Sequence, residues 1–487
     1  MKVLFVSPEV YPYAKTGGLA DVSGSLPVAL KKLGCEVSVI MPYYASVRRY
    51  TEAFPVCLQD LPVNLGSRVL PADVRHGWLD HKLPIYFIQR DEFYDRTHLY
   101  GTPKGDYFDN AERFIYFSKA VLSWCQATGF KPDIVHCNDW QTALVPAMMR
   151  FGVDKYYFDS MATVFTIHNI AYQGVFDVSV FSLTGLPWEL FVPDGLEFWG
   201  RVNFMKGGIV YGDAINTVSQ KHSQEIQTPE FGFGLDGVLR AHSHKLVGIL
   251  NGVDYEVWDP ATDPLIAANY TKHDLSGKRK CKSELLNTYR LPQDLFNRPL
   301  LGVISRLVEQ KGVDLYPPIM DKLLSQKIGF VLLGTGEEKY HKYFMDLAKK
   351  YPDQAGIRIA YDNALAHKIE AGADIFLMPS RYEPGGLNQI YSLRYGTVPV
   401  VRATGGLDDT VEDYNPETNT GTGFKFGPYD PEAFFSCVMR AIKLYDDKAR
   451  WKQLVLRGME QDFSWEKSGK KYLELYEKAV SYRKSRI

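Results

Sequence analysis

The segment VLFVSPEVYPYAKTGGLADVSGSLPVALKKLG, running from Val3 to Gly34, carries the reading of the fold. Val3 to Ser7 opens with a continuous apolar run, the pattern of a strand buried on both faces of a parallel sheet. A loop containing Gly17 and Gly18 follows. Asp21 to Leu33 then shows helical periodicity and stops at Gly34, a C-cap signal. Val37 to Met41 supplies the next strand, which Pro42 ends. The same alternation returns with strands at Ile134 to His136, Ala162 to Ile167, Ala214 to Ser219 and Lys245 to Leu250. A second series follows Asn251-Gly252-Val253-Asp254. Its strands are Leu300 to Ser305, Phe330 to Leu333, Ile357 to Ala360, Asp374 to Pro379 and Val398 to Arg402. The expectation is an α/β protein with two doubly wound domains, residues 1–250 and 251–460, and a terminal segment, 461–487. Asp254 to Ser276, rich in Pro, Asp, Thr and Asn, reads as linker and loop. Trp465 to Ile487 reads as an amphipathic helix with many charges.

Bulk properties narrow the class. At 487 residues the chain is too long for one ordinary core. With 45% hydrophobic and 23% charged residues it has the balance of a well-packed globular protein. A formal net charge of -1 supplies no global field toward nucleic acid or an anionic membrane. The first strand's apolar run is too short for a signal peptide, and no apolar stretch approaches a membrane span, so a cytoplasmic location is expected. Six scattered cysteines, with no C-x-x-C pair, fit free thiols rather than a zinc site or a disulfide framework.

In open α/β sheets, ligands bind beyond the carboxyl ends of the strands. Lys15-Thr16-Gly17-Gly18-Leu19-Ala20-Asp21 occupies such a place. Paired glycines admit a ligand close to the backbone, and helix-start N–H groups favour anions. A tight turn with a surface lysine reads equally well. The dinucleotide fingerprint and the Walker A pattern are both absent, which weakens an oxidoreductase reading. Arg306 and Lys311, in the loop Arg306 to Gly312, either clamp phosphates or form a solvated pair. Gly334-Thr335-Gly336 and Thr404-Gly405-Gly406 read as further strand-end loops. In Glu383-Pro384-Gly385-Gly386-Leu387, expected to open a helix, the three last N–H groups would face an anion or a sugar oxygen. Glu383 suits sugar hydroxyls, or merely the helix dipole. His168-Asn169 and Asn138-Asp139-Trp140 end two strands of the first domain and offer a polar site, although a lone histidine has structural uses too. No protein-built metal site is evident and no cofactor is expected.

Taken in order, KTGGLADV (15–22), HNIAYQG (168–174), FGFGLDG (231–237), NGVD (251–254), SRLVEQKG (305–312), EPGGLNQ (383–389) and TGGLDDTV (404–411) resemble bacterial glycogen synthases and plant starch synthases. The resemblance spans nearly the whole chain. It implies the GT-B fold, two Rossmann-like domains facing across a deep cleft, with the terminal helix crossing back onto the first. It implies retaining transfer of glucose from ADP-glucose to the non-reducing end of an α-1,4-glucan. Oligomeric state stays open. On this resemblance His168, Arg306, Lys311, Glu383 and Asp139 are the expected catalytic residues. Lys15, Gly17, Gly18, Asp21, Asn169, Asn251, Gly334, Tyr361, Gly385, Gly386, Leu387 and Thr404 are the expected substrate-binding residues, Tyr361 by stacking on adenine. Many family members have Cys at the position of Gly385, so any thiol role is lost here. A GT-B enzyme using UDP-glucose or another acceptor, and a glucan-binding protein without turnover, are the alternatives. A hinge is expected near Asn251 to Asp254 and near Trp465.

Overall fold

The computed structural model describes residues 1–50, 54–102, 104–152 and 154–486. It divides into two compact units: residues 1–252 with 465–487, and Val253–Ser464.

The first unit is built on a nine-stranded sheet. Its strands are β1 (Lys2–Val6), β2 (Glu36–Pro42), β3 (Val56–Leu65), β4 (Arg68–Leu79), β5 (Leu83–Gln89), β6 (Ile134–Asn138), β7 (Ala162–Ile167), β8 (Ala214–Thr217) and β9 (Leu246–Gly248). Their spatial order is β9-β8-β7-β6-β1-β2-β5-β4-β3. From β9 to β5 all pairs are parallel, whereas β3 and β4 add antiparallel at one edge. Val3, Leu4, Phe5 and Val6 are fully buried, as a central parallel strand requires. Helix α1 (Gly18–Lys32) starts three residues earlier than the periodicity suggests, so Gly18 and Asp21 both lie in its first turn. Gly34 follows it at φ +93°, the left-handed region that suits glycine after a helix.

The antiparallel edge escaped the reading of the sequence. Its signal is the period-2 pattern of Leu61, Val63 and Leu65, buried, against exposed Pro62 and Asn64. The terminal helix, Trp465–Lys484, packs within the first unit rather than lying free as a solvated tail. Its polar side chains thread the core. Tyr476 donates to His136 Nδ1 (2.7 Å), and His136 Nε2 donates to Thr166 Oγ1 (2.6 Å). Thr166 donates to Asn216 Oδ1 (2.6 Å), and Asn216 Nδ2 returns to Tyr472 Oη (3.1 Å). Because Thr166 gives its one proton to Asn216, it accepts from His136 Nε2, which leaves His136 Nδ1 to accept from Tyr476.

The second unit has a six-stranded sheet, entirely parallel: β10 (Leu300–Leu307), β11 (Gly329–Gly336), β12 (Ala355–Ile359), β13 (Ile375–Met378), β14 (Val398–Arg402) and β15 (Phe424–Phe426), in the order β12-β11-β10-β13-β14-β15. Three helices matter for the site: α2 (Asn363–Gly372), α3 (Asn388–Arg394) and α4 (Gly405–Thr410). Two expectations are corrected here. Gly334-Thr335-Gly336 is not a loop but the end of β11, and the missing Cβ of Gly334 makes room for the Ser305 carbonyl on β10. Asp254 to Ser276 is not a loose linker. It has neither strand nor helix before Ser276, yet buries Asp263 and Tyr270 in the second unit.

The relay through the first core makes a direct prediction. Tyr476→Phe removes the donor to His136 Nδ1 and leaves a buried acceptor unpaired, which costs about 1–3 kcal/mol. Urea unfolding followed on the first unit should show that loss, and Tyr482→Phe, near the exposed end of the helix, should not.

Candidate functional site

In the first unit the Lys15 loop is held from below by a residue not singled out in the sequence. Glu9 is buried, and its carboxylate accepts from Thr16 N (2.6 Å), Thr16 Oγ1 (2.6 Å) and Tyr100 Oη (2.8 Å). Burial raises its pKa above the ordinary carboxylate value, and these hydrogen bonds oppose the rise. The local signal was an acid in the loop just past β1, a strand-end position; nothing local announces Tyr100. Above this clamp, Lys15 Nζ meets Asp21 Oδ1 at 2.6 Å, with both side chains about one-third exposed. Burial pushes the Asp21 pKa up, against the pull of Lys15. Gly17 caps α1 and Gly18 begins it, and a Cβ at either would meet no atom within 4 Å. The loop thus presents a cation, helix-start N–H groups and open space.

Asp139 and His168 form a second cluster at the ends of β6 and β7. Asp139 has φ +55°, a costly conformation for a residue with a side chain. Its Oδ1 accepts from the backbone N–H of His168 (2.7 Å) and of Asn169 (3.4 Å), so the carboxylate shapes the turn that carries them. Burial pushes its pKa up to about 7, the hydrogen bonds lower it, and the nearby Glu9 charge adds to the rise. Asn138 Nδ2 donates to the Val6 carbonyl (3.0 Å), which leaves Asn138 Oδ1 as acceptor for His168 Nε2–H (2.9 Å). His168 therefore carries a proton on Nε2, and the burial that keeps the ring neutral leaves an accepting lone pair on Nδ1. Burial pushes its pKa down to about 3. Asn169 uses Oδ1 to accept from Ala171 N (3.1 Å). Asn251 is buried, and its Oδ1 has no hydrogen-bond partner among the described residues. An orphan of that kind calls for a ligand or a water.

In the second unit, three strand-end loops meet around Glu383. This carboxylate is 6% exposed, pairs with Lys311 Nζ at 2.5 Å, and accepts from Ser380 Oγ at 3.1 Å. Arg306 does not open the loop as expected but is the penultimate residue of β10; it is exposed, and among the described residues its guanidinium donates to Gln310 Oε1, at 3.4 Å. The loop after β14 seals the arrangement. Gly406 N donates to the carbonyls of Glu383 (3.0 Å) and Pro384 (3.1 Å). Gly405, at φ +45°, has the Glu383 carbonyl where a Cβ would lie, so only glycine fits. Gly385 Cα lies against Gly406, and a Cβ on Gly386 would be 2.9 Å from Glu383 Cγ. Thr404 is buried at the N-cap position of α4. One expectation fails: α3 begins at Asn388, so Gly385 and Gly386 lie in a loop and Leu387 is the N-cap, not a residue of the first turn. Tyr361, two residues past β12, is 82% exposed and free to stack. Among the described residues no group of His, Cys, Asp and Glu could hold a metal ion, and no helix is long and apolar enough to cross a membrane.

Two doubly wound units, with cations, a buried carboxylate and open glycine turns at their strand ends, define a glycosyltransferase of the GT-B fold. Residues 2–241 match the starch synthase catalytic domain model, and residues 293–454 match glycosyl transferases group 1. The chain is 48% identical over 484 residues to a glycogen synthase of Koribacter versatilis, covering 99% of each chain. It is 46% identical over 488 residues to a glycogen synthase of Thermotoga maritima, again covering 99% of each. Among solved structures it resembles the catalytic domain of starch synthase IV from Arabidopsis thaliana bound to ADP and acarbose, with 35% identity, a TM-score of 0.89, and coverage of 98% of this chain and 99% of that one. The chain belongs to the glycogen synthase and starch synthase family.

The neutral state of His168 yields a pH prediction. Its folded pKa lies below the ordinary 6.5, so the unfolded chain takes up a proton that the folded chain refuses. The stability tied to that histidine is present above pH 6.5 and is lost as pH falls from 6.5 toward 3. The Tm difference between wild type and His168→Gln should therefore shift against the wild type between pH 7 and pH 5. A difference that stays constant would show that His168 is not held neutral.

Proposed function

We propose that this chain is a glycogen synthase: it transfers glucose from ADP-glucose to the non-reducing end of an α-1,4-glucan, with retention at the anomeric carbon. The observation that carries this reading is the Lys311–Glu383 pair built by strand-end loops of the second unit, with Arg306 exposed at the end of β10. Arg306 and Lys311 bind the donor diphosphate and neutralise the charge that grows as ADP departs. Glu383, acceptor-only when ionised, takes hydrogen bonds from the glucose hydroxyls. The N–H groups of Gly385, Gly386 and Leu387 lie alongside, and Tyr361 stacks on the base. In the first unit Lys15, balanced by Asp21, and the open Gly17-Gly18 turn approach the donor phosphates and sugar. His168 Nδ1 accepts from a hydroxyl of the transferring glucose, Asn169 and the orphaned Asn251 contact the same substrate, and Asp139 holds the His168 turn in place. Gly334 and Thr404 serve the site through packing.

The reaction breaks the bond from the anomeric carbon to the phosphate oxygen and forms one from that carbon to the acceptor hydroxyl oxygen. A retaining glycosidase achieves retention with a carboxylate nucleophile. Here the Glu383 carboxylate is engaged by Lys311 and Ser380, and Asp139 is engaged by two backbone N–H groups. We favour same-face transfer. The acceptor proton passes to the leaving phosphate, and a backbone carbonyl near His168 steadies the oxocarbenium-like sugar. No resident cofactor takes part in this scheme.

The test supplies ADP-glucose or UDP-glucose with glycogen and measures nucleoside diphosphate release and chain extension. Turnover with ADP-glucose is expected. UDP-glucose as the better donor would reassign the base pocket, and no turnover with either would leave a glucan-binding protein. Lys311→Ala, assayed well below its Tm, should lower kcat/KM by about 100- to 1,000-fold, the scale for loss of one group that stabilises developing charge. An unchanged kcat/KM would remove Lys311 from the diphosphate site.

A further inference from the structure

Helix α3 carries the Glu383 loop at its start, and its other face is gripped by the segment through which the chain passes into the second unit. Trp258 lies five residues beyond Val253, where that unit begins. Its indole is sandwiched between two parallel rings: His367 on α2, at 3.8 Å between centroids and 11° between planes, and Tyr391 on α3, at 4.0 Å and 6°. Tyr395, just past α3, meets the same indole edge-on. The flanking rings are themselves pinned. His367 Nδ1 lies 2.7 Å from Asp263 Oδ2, and Tyr395 Oη donates to the same oxygen at 2.6 Å. Arg394 pairs with Asp259 and stacks over the Tyr255 ring. Tyr255 Oη accepts from Phe463 N (3.1 Å), and Phe463 O accepts from Val253 N (2.8 Å). Both points at which the chain crosses into and out of this unit are thus tied to α3.

The opposite end of α3 is tied to the site. Asn388 Nδ2 donates to the Ile304 carbonyl on β10 (3.0 Å), two residues before Arg306. Gln389 Nε2 donates to the Gly386 carbonyl (2.5 Å) and to Thr410 Oγ1 on α4 (3.1 Å). A seven-residue helix has few internal hydrogen bonds and does not hold its own position. Its placement depends on its side contacts: Ile390 and Leu393 are buried in the unit, and the flat three-ring stack grips Tyr391 on another side.

We propose that Trp258 is a positioning residue: its stack between His367 and Tyr391 sets the position of α3, and through α3 the position of the Glu383-to-Leu387 loop and of the residues that hold the donor. The catalytic part of this statement rests on the function proposed above; the mechanical part does not. A flat ring fills the slot between two parallel rings with little loss on change of ring type, whereas a methyl group leaves it empty.

The experiment compares Trp258→Ala, Trp258→Phe and a control, Phe344→Leu, which thins the same unit's core among Tyr316, Phe330 and Tyr343, away from α3. Each folded variant is followed by hydrogen exchange at amides 383–395 and by kcat/KM for ADP-glucose. Trp258→Ala should speed exchange at these amides at least 10-fold and lower kcat/KM at least 10-fold. Trp258→Phe should recover most of both, and Phe344→Leu should lower Tm without either change. Wild-type exchange at 383–395 in folded Trp258→Ala, or an equal loss in Phe344→Leu, overturns the proposal. Faster exchange in Trp258→Ala, with no turnover by the wild-type protein, overturns the proposed function and upholds the positioning role.

Discussion

A carboxylate withdrawn from water must be compensated, and in the second unit that requirement organises everything near the strand ends. Glu383 is 6% exposed. An unpaired carboxylate there would cost several kcal/mol, and removing its partner from a formed pair costs about 3–5 kcal/mol. Lys311 meets the need, but only because the turn after β10 returns to the end of β13. Ser380 supplies a further donor. The Glu383 backbone carbonyl needs one too and finds it in Gly406, which draws the loop after β14 onto the same spot. Three successive strand ends are thereby locked to one residue. The consequence for chemistry is preorganisation: a cation and an acceptor are fixed before any ligand arrives, so binding spends little on ordering them.

The first unit solves a similar problem differently. Its two buried strand-end acids, Glu9 and Asp139, have no cationic partner among the described residues and are held by backbone N–H and hydroxyl donors. Each carboxylate shapes a turn, Glu9 the Thr16 turn and Asp139 the His168 turn. Lys15 and Asp21, each about one-third exposed, stay in contact with solvent, where such a pair is weak, which suits the exchange for a phosphate proposed above. Strong internal anchors therefore sit beneath groups that stay adaptable. His168 follows the same logic, with one nitrogen committed to Asn138 and the other left to accept.

Much of this could be read in the chain because parallel strands advertise themselves. Ala162–Ile167 and Val398–Arg402 have the bounds that their apolar runs suggest. Loop residues at strand ends were legible because the fold dictates where ligands sit, and Lys311 and Glu383 do meet there. What escaped around the site, unlike the antiparallel edge with its local period-2 signal, shares a physical cause: its meaning depends on partners remote in sequence. Glu9 gains its role from Tyr100, and Trp258 from His367 and Tyr391, more than a hundred residues away. Gly334 and Gly386 look alike in the sequence, yet one is a close contact between strands and the other part of a loop. Composition made Asp254 to Ser276 look like a linker because turns and buried polar anchors draw on the same residue types, Asp, Asn and Pro.

The glycines also separate structure from function. At Gly405 the reason for glycine is internal: a positive φ and a carbonyl in the place of a side chain. At Gly17 and Gly18 neither of these reasons applies, since φ at Gly17 is -155° and a Cβ on either meets nothing within 4 Å. Glycine is itself a good N-cap at Gly17, whereas Gly18, already helical, forgoes up to about 1 kcal/mol that alanine would contribute. The packing of the fold does not require that loss at Gly18, beside a helix N-terminus and close to a lysine. The donor proposed for this site supplies a reason: a ligand lying against the backbone where a methyl group would stand. The packing of the Lys15 loop thus leaves open a part of its sequence that the proposed function accounts for.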